Sequence, residues 1–184
     1  MPRLDQAGFT LTELLIGMVI VAVMGIGMVS LFRVQHQTYV SQNEGVMSTQ
    51  NVRAGMDMMA REIRNAGYDP YGGAGAGVSQ WTSTRFAFTA DLNGDGDILD
   101  DAESVTYFYD AADSLLVRST SGVDATVANG IVGMTLSYFQ DASGTAATSS
   151  SNIQQILIRM TYATPDGVMP GSLETQVALR NNIY

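Results

Sequence analysis

From Phe9 to Phe32 the chain is apolar for 24 residues, and Glu13 is the only ionisable side chain among them. A helix needs about 20 apolar residues to cross hydrocarbon, so the pattern predicts a membrane-spanning helix over 9–32. A carboxylate inside such a segment costs about 2.5–3.5 kcal/mol near the centre of the span. A positive charge supplied by a partner would relieve that cost. Behind the span the pattern changes. Val52, Met56, Met59, Ile63 and Ala66 follow at steps of four, three, four and three, the spacing of one apolar helical stripe. Arg53, Asp57, Arg61 and Arg64 take the opposite face, with Asp57 and Arg61 in the favourable acid-first order for a helix pair. No proline interrupts 34–66, Gly67 supplies a stop and Pro70 forbids continuation. One helix is therefore expected, its first half in the membrane and its second half, 33–67, the spine of a domain. The methionines of the stripe read as a packing face rather than as metal ligands.

Over 68–184 the period shortens to two. Thr84–Thr89, Val105–Asp110, Leu115–Arg118, Val132–Phe139, Ile153–Tyr162 and Leu173–Leu179 are the predicted strands. Strands gathered behind one long helix predict an α+β fold with an antiparallel sheet laid on the helix. Trp81, Tyr107, Tyr109, Tyr138 and Phe139 sit at sheet-like spacing and are expected to pack in its core. Residues 71–77 and 143–151 are low in complexity and read as loops.

Composition narrows the functional classes. The chain has 184 residues, about one domain beyond the helix, and no cysteine, so an exported domain must hold together without disulfides. Net charge is −9, all nine basic residues are arginine, and half of the 18 acidic residues lie between Asp91 and Asp124. Such a surface does not suit nucleic acid. Catalysis finds no footing: cysteine is absent, and the single histidine, His36, falls just past the span, where it is expected to face solvent or lipid headgroups.

The residues before the span carry a processing signal. Residues 1–8 are short and polar, carry Arg3, and end on Gly8. A general secretory signal places its small cleavage residue after the apolar region, whereas here Gly8 precedes it. Cutting between Gly8 and Phe9 would leave the apolar helix on the mature chain. The alternative is an ordinary signal anchor in which Glu13 has no role. Gly8-Phe9-Thr-Leu-Thr-Glu13-Leu-Leu resembles the type IV prepilin family, which includes pilins and type II secretion pseudopilins. The resemblance implies that a prepilin peptidase cuts after Gly8 and methylates Phe9, and that Glu13 meets the Phe9 amino group of a neighbouring subunit during assembly. Such a pairing is physically favourable, since opposite charges attract strongly in low dielectric and each relieves the other's desolvation. Many major pilins carry a kinking proline in the span; residues 9–32 have none.

The same resemblance implies a type IV pilin fold. Met59-Ala-Arg-Glu-Ile-Arg-Asn-Ala-Gly-Tyr-Asp-Pro70 and the closing Thr175-Gln-Val-Ala-Leu-Arg-Asn181 look like PilW-type minor pilins, with the secretion pseudopilin J similar in organisation. It implies a structural subunit rather than an enzyme, single-pass in the bacterial inner membrane before assembly and then part of a surface pilus. Its partners would be other pilins, and its globular domain would be periplasmic or extracellular. A membrane-tethered calcium-binding or enzymatic domain that never polymerises is the reading from another class.

The second chemical signal lies in 91–103. Asp91, Asn93, Asp95 and Asp97 with Gly96 among them reproduce the first half of a calcium loop, where alternate oxygen side chains converge. The twelfth position, where an EF-hand needs glutamate, is Ala102, with Glu103 one residue later, and the flanks read as strands. A calcium site completed by Asp100, Asp101 or Glu103 is one reading. A solvated acidic hairpin turning on Asn-Gly and Asp-Gly is the other.

Overall fold

A computed structural model of the chain describes residues 9–164 and 169–180. The chain divides into two compact units, 1–43 and 44–184, and one helix, α1 (Leu11–Ile63), contributes to both. Within the first unit α1 is long and apolar enough to cross a membrane, and the large apolar side chains from Phe9 to Phe32 are exposed. No apolar surface of that extent is left to water in a functioning protein. Lipid or another chain must cover it.

In the second unit the amphipathic part of α1 does what its pattern predicts. Val52, Met56, Met59, Ala60 and Ile63 are buried, and Ala66 follows them into the core, while Arg53, Asp57, Arg61 and Arg64 face outward. Asp57 and Arg61 form no ion pair among the described residues; two mobile exposed side chains gain too little from pairing to hold one geometry. The helix stops regularly at Ile63, earlier than 67. The N–H groups of Asn65 and Ala66 bond three residues back to Glu62 and Ile63, tightening the last turn, and Gly67 adopts the left-handed φ of +77° that ends it.

Among the described residues eight strands follow, in two antiparallel sheets rather than the single sheet expected. β1 (Val78–Trp81), β2 (Arg85–Thr89), β3 (Ser104–Asp110), β4 (Leu115–Thr120) and β5 (Val123–Asn129) form a five-stranded meander in chain order. β6 (Ile131–Phe139), β7 (Gln155–Tyr162) and β8 (Gly171–Ala178) form the second sheet. The chain passes from one sheet to the other through the single residue Gly130, whose φ of +70° turns what would have been one long strand. β1 and β5 were not expected. Both are edge strands, and β5 exposes most of its length, so neither shows the apolar alternation of a strand packed on a core.

Both sheets share one core with α1. Phe86, Phe88, Val105, Tyr107 and Leu116 meet it from the first sheet, and Met134, Leu136, Ile156, Ile158 and Met160 from the second. Tyr138 links the sheets: its ring packs edge-on against Trp81 and stacks with Phe86, and its hydroxyl donates to the Thr82 carbonyl at 2.7 Å. Gly55 allows α1 to approach β5 closely, since a Cβ there would lie 2.9 Å from the Ala128 Cβ.

Candidate functional site

Phe9 stands at the head of α1 and is 89% exposed. Next to it, Thr10 and Glu13 hold one another. The Thr10 N–H and hydroxyl donate to Glu13 Oε2 at 2.9 and 2.8 Å, and the Glu13 N–H returns a bond to Thr10 Oγ1 at 3.3 Å. This is the reciprocal capping box, Thr-x-x-Glu, at the first turn of a helix. The Thr10–Glu13 spacing of the box stands in the sequence, where the same glutamate is also the one charge of the apolar span. The box accepts glutamine as well as glutamate, so it explains a polar side chain of this length and not its negative charge.

Beyond the cap, Phe9, Glu13, Gly17 and Val21 follow at steps of four and line one shallow groove with Leu14 and Met18. A side chain at Gly17 would touch nothing within 4 Å, so the backbone is open to close approach there. The other polar groups of this stretch are internally satisfied: the Ser30 and Thr38 hydroxyls donate to the carbonyls of Ile26 and Val34, one turn back. His36 is exposed on the helix. Gly8 and the leader 1–8 lie outside the described residues, as does Asn181 at the end of the closing motif.

The acidic segment connects β2 to β3, so it is flanked by strands as expected. Its ends are anchored by Ala90 N–H to the Glu103 carbonyl and by Asp91 N–H to the Tyr68 carbonyl. Asp91 is fully buried, and its two oxygens accept the N–H groups of Gly94 (2.6 Å) and Gly96 (3.1 Å), folding the loop round itself. Both glycines have left-handed backbones. Asn93, Asp95 and Asp97 each accept the N–H two residues on, forming a run of Asx turns. The Asn93 amide also donates to Asp95 (3.0 Å) and Asp100 (2.6 Å).

Asp101 turns away and accepts the Ser121 hydroxyl at 2.8 Å, in the β4–β5 turn. It is Asp100 that faces the loop: the charge of Asp95 foremost, then desolvation and the charges of Glu103 and Asp97, push its carboxyl above the ordinary aspartate range. Glu103 is 2% exposed; Oε1 accepts the Leu92 N–H at 2.8 Å, with Asn93 N–H at 3.4 Å. Its other oxygen, Oε2, is buried with no hydrogen-bond partner. Among the described residues, no group of three or more His, Cys, Asp or Glu side chains is placed to hold a metal ion.

A third polar group ties α1 to the first sheet. Tyr107 and Arg118 are opposite one another in the β3–β4 register, and both reach Glu62 on α1. The Tyr107 hydroxyl and the Arg118 Nε each lie 2.8 Å from Glu62 Oε2. Burial, then the Glu62 carboxylate, pushes ionisation of the Tyr107 phenol far above its ordinary range. Glu62 and Arg118 border a cavity of 70 Å³ with Asn65, Phe88 and Val105. No nucleophile with an attendant base lies there, and the group reads as structural.

No curated protein matches the chain. Residues 3–29 match the family model described as the prokaryotic N-terminal methylation motif. With Phe9 heading an exposed apolar helix, Glu13 in its first turn, and an α+β domain consistent with the type IV pilin fold, this motif marks the chain as type IV pilin-like.

Proposed function

We propose that the chain is a minor pilin of the PilW type, a low-copy structural subunit that helps initiate, prime or cap a type IV pilus. Its helix packs in the filament core after a prepilin peptidase has cut between Gly8 and Phe9 and methylated the new N-terminus. The observation that carries this reading is the negative charge of Glu13. Position 13 needs a polar end for the capping box, which glutamine would supply, yet it carries a carboxylate at the edge of a groove lined by Phe9. A charge with no ion pair among the described residues is suited to a cation that comes from outside, and the free amino group of a neighbour's Phe9 is such a cation.

Two substitutions separate the cap from the charge. Glu13→Gln keeps the box and removes the charge; Glu13→Ala removes both. Processing and filament incorporation are read separately, by the size of the membrane-bound chain and by its recovery in sheared filaments. The reading predicts that both variants are cut normally and that both lose incorporation. Incorporation of Glu13→Gln at the wild-type level, with loss only in Glu13→Ala, would show that the cap alone matters. A minor pseudopilin of a type II secretion system uses the same geometry. Recovery of the chain with a secretion pseudopilus instead of a pilus would select that assignment.

A further inference from the structure

We propose that the β2–β3 loop is a calcium site, with Glu103 Oε2 as its buried anchoring ligand and Asp95, Asp97 and Asp100 closing over the ion from the rim. This goes beyond the filament reading and does not depend on it. The starting point is the orphaned oxygen. Glu103 is 2% exposed, one of its oxygens is held by backbone N–H groups of the loop, and the other has no hydrogen-bond partner among the described residues. Buried polar atoms are almost always satisfied, and an unpaired charged one is costly. The chain contains no lysine, and neither arginine ion pair among the described residues involves Glu103. A bound cation satisfies the oxygen and also relieves the repulsion between Glu103 and Asp100.

The rest of the loop suits such an ion. Asp91 spends both oxygens on Gly94 and Gly96 N–H groups, so it shapes the loop and leaves coordination to others. The Asx turns of Asp95 and Asp97 each use one oxygen, Oδ1; the second oxygen of Asp95 accepts the Asn93 amide. The Asn93 amide now bridges Asp95 and Asp100, the place a cation would take between two carboxylates. Rotation of that amide would release both for coordination, which reconciles a loop backbone already formed with side chains not yet gathered. Oxygen-only ligands favour calcium, which tolerates six to eight of them in irregular geometry, over magnesium, which demands a near-ideal octahedron. The ligand set differs from the sequence expectation in leaving out Asp91 and Asn93, which are held in hydrogen bonds within the loop, and Asp101, which is engaged by Ser121.

The test uses the full chain in detergent micelles, stripped with a chelator and titrated with calcium chloride by calorimetry, with melting followed in parallel. The expected result is a Kd of about 10⁻⁴–10⁻³ M, in the range of extracellular calcium modules. At ten times Kd, melting should rise by about 3–5 °C. Glu103→Gln keeps the carbonyl that accepts the Leu92 N–H but replaces the free oxygen, and should weaken binding at least about tenfold. Asp97→Asn, at an exposed rim position where folding is not at stake, should weaken it as well. No heat and no melting shift up to about 10 mM calcium, well above that range, would overturn the proposal. So would unchanged affinity in both variants, or magnesium binding as tightly as calcium.

Discussion

Removing Glu62 tests whether α1 is held on the first sheet by the polar group it shares with Tyr107 and Arg118. Glu62→Ala removes the acceptor of the Tyr107 hydroxyl, which is fully buried, and the partner of Arg118, whose side chain is 15% exposed. An unsatisfied buried hydroxyl costs about 1–3 kcal/mol. The stranded guanidinium adds about 1 kcal/mol rather than the 3–5 of a deeply buried pair, because Glu62 is 29% exposed and water reaches the site. The expected loss is about 2–4 kcal/mol, or about 6–12 °C in melting temperature for a unit of this size. Glu62→Gln retains an acceptor for both donors and should lose about 1 kcal/mol. Urea unfolding of the full chain in detergent, followed by circular dichroism, measures both. If Glu62→Ala falls within 0.5 kcal/mol of wild type (about the scatter of neutral surface changes), or if the two variants lose equally, the hydrogen-bond argument is wrong.

Two further outcomes follow from local geometry. Gly55→Ala gains about 1 kcal/mol of helix propensity, but its Cβ would sit 2.9 Å from the Ala128 Cβ and 3.3 Å from Val127 Cγ1; crowding costs about 1–3 kcal/mol, so melting should fall, and a rise would show that β5 yields. The Thr145 hydroxyl, then its backbone N–H, holds the Asp141 carboxyl below the usual aspartate range. A lowered native value means stability that is present above the unfolded-state value of about 3.9 and lost as pH falls through the native one. Carbon-detected NMR titration should place Asp141 below that value, and Asp141→Asn should remove this part of the acid sensitivity.

Much of this fold could be read from residue periodicity, because its helix and inner strands bury one face. The stripe from Val52 to Ala66 and the alternation at Phe86 and Phe88 both became core. β1 and β5 escaped because an edge strand carries little apolar alternation, and the split into two sheets rests on the backbone of one residue, Gly130. At the N-terminus the residue types were visible, but the capping role of Glu13 was not, since a cap and the proposed docking charge use the same side chain. In the acidic loop, spacing showed which oxygens could converge. It could not show that Asp101 turns to Ser121 or that one oxygen of Glu103 is buried alone, because both depend on how β3, β4 and β5 stack.

The central claim is that this chain is cut at Gly8 and built into a filament as a low-copy subunit. Quantitative mass spectrometry of filaments sheared from the native cell addresses it in one measurement. The account predicts a mature N-terminal peptide that begins with methylated Phe9, present well below the abundance of the main subunit. Absence of the chain from filaments, recovery with residues 1–8 still attached, or abundance equal to that of the main subunit would contradict it.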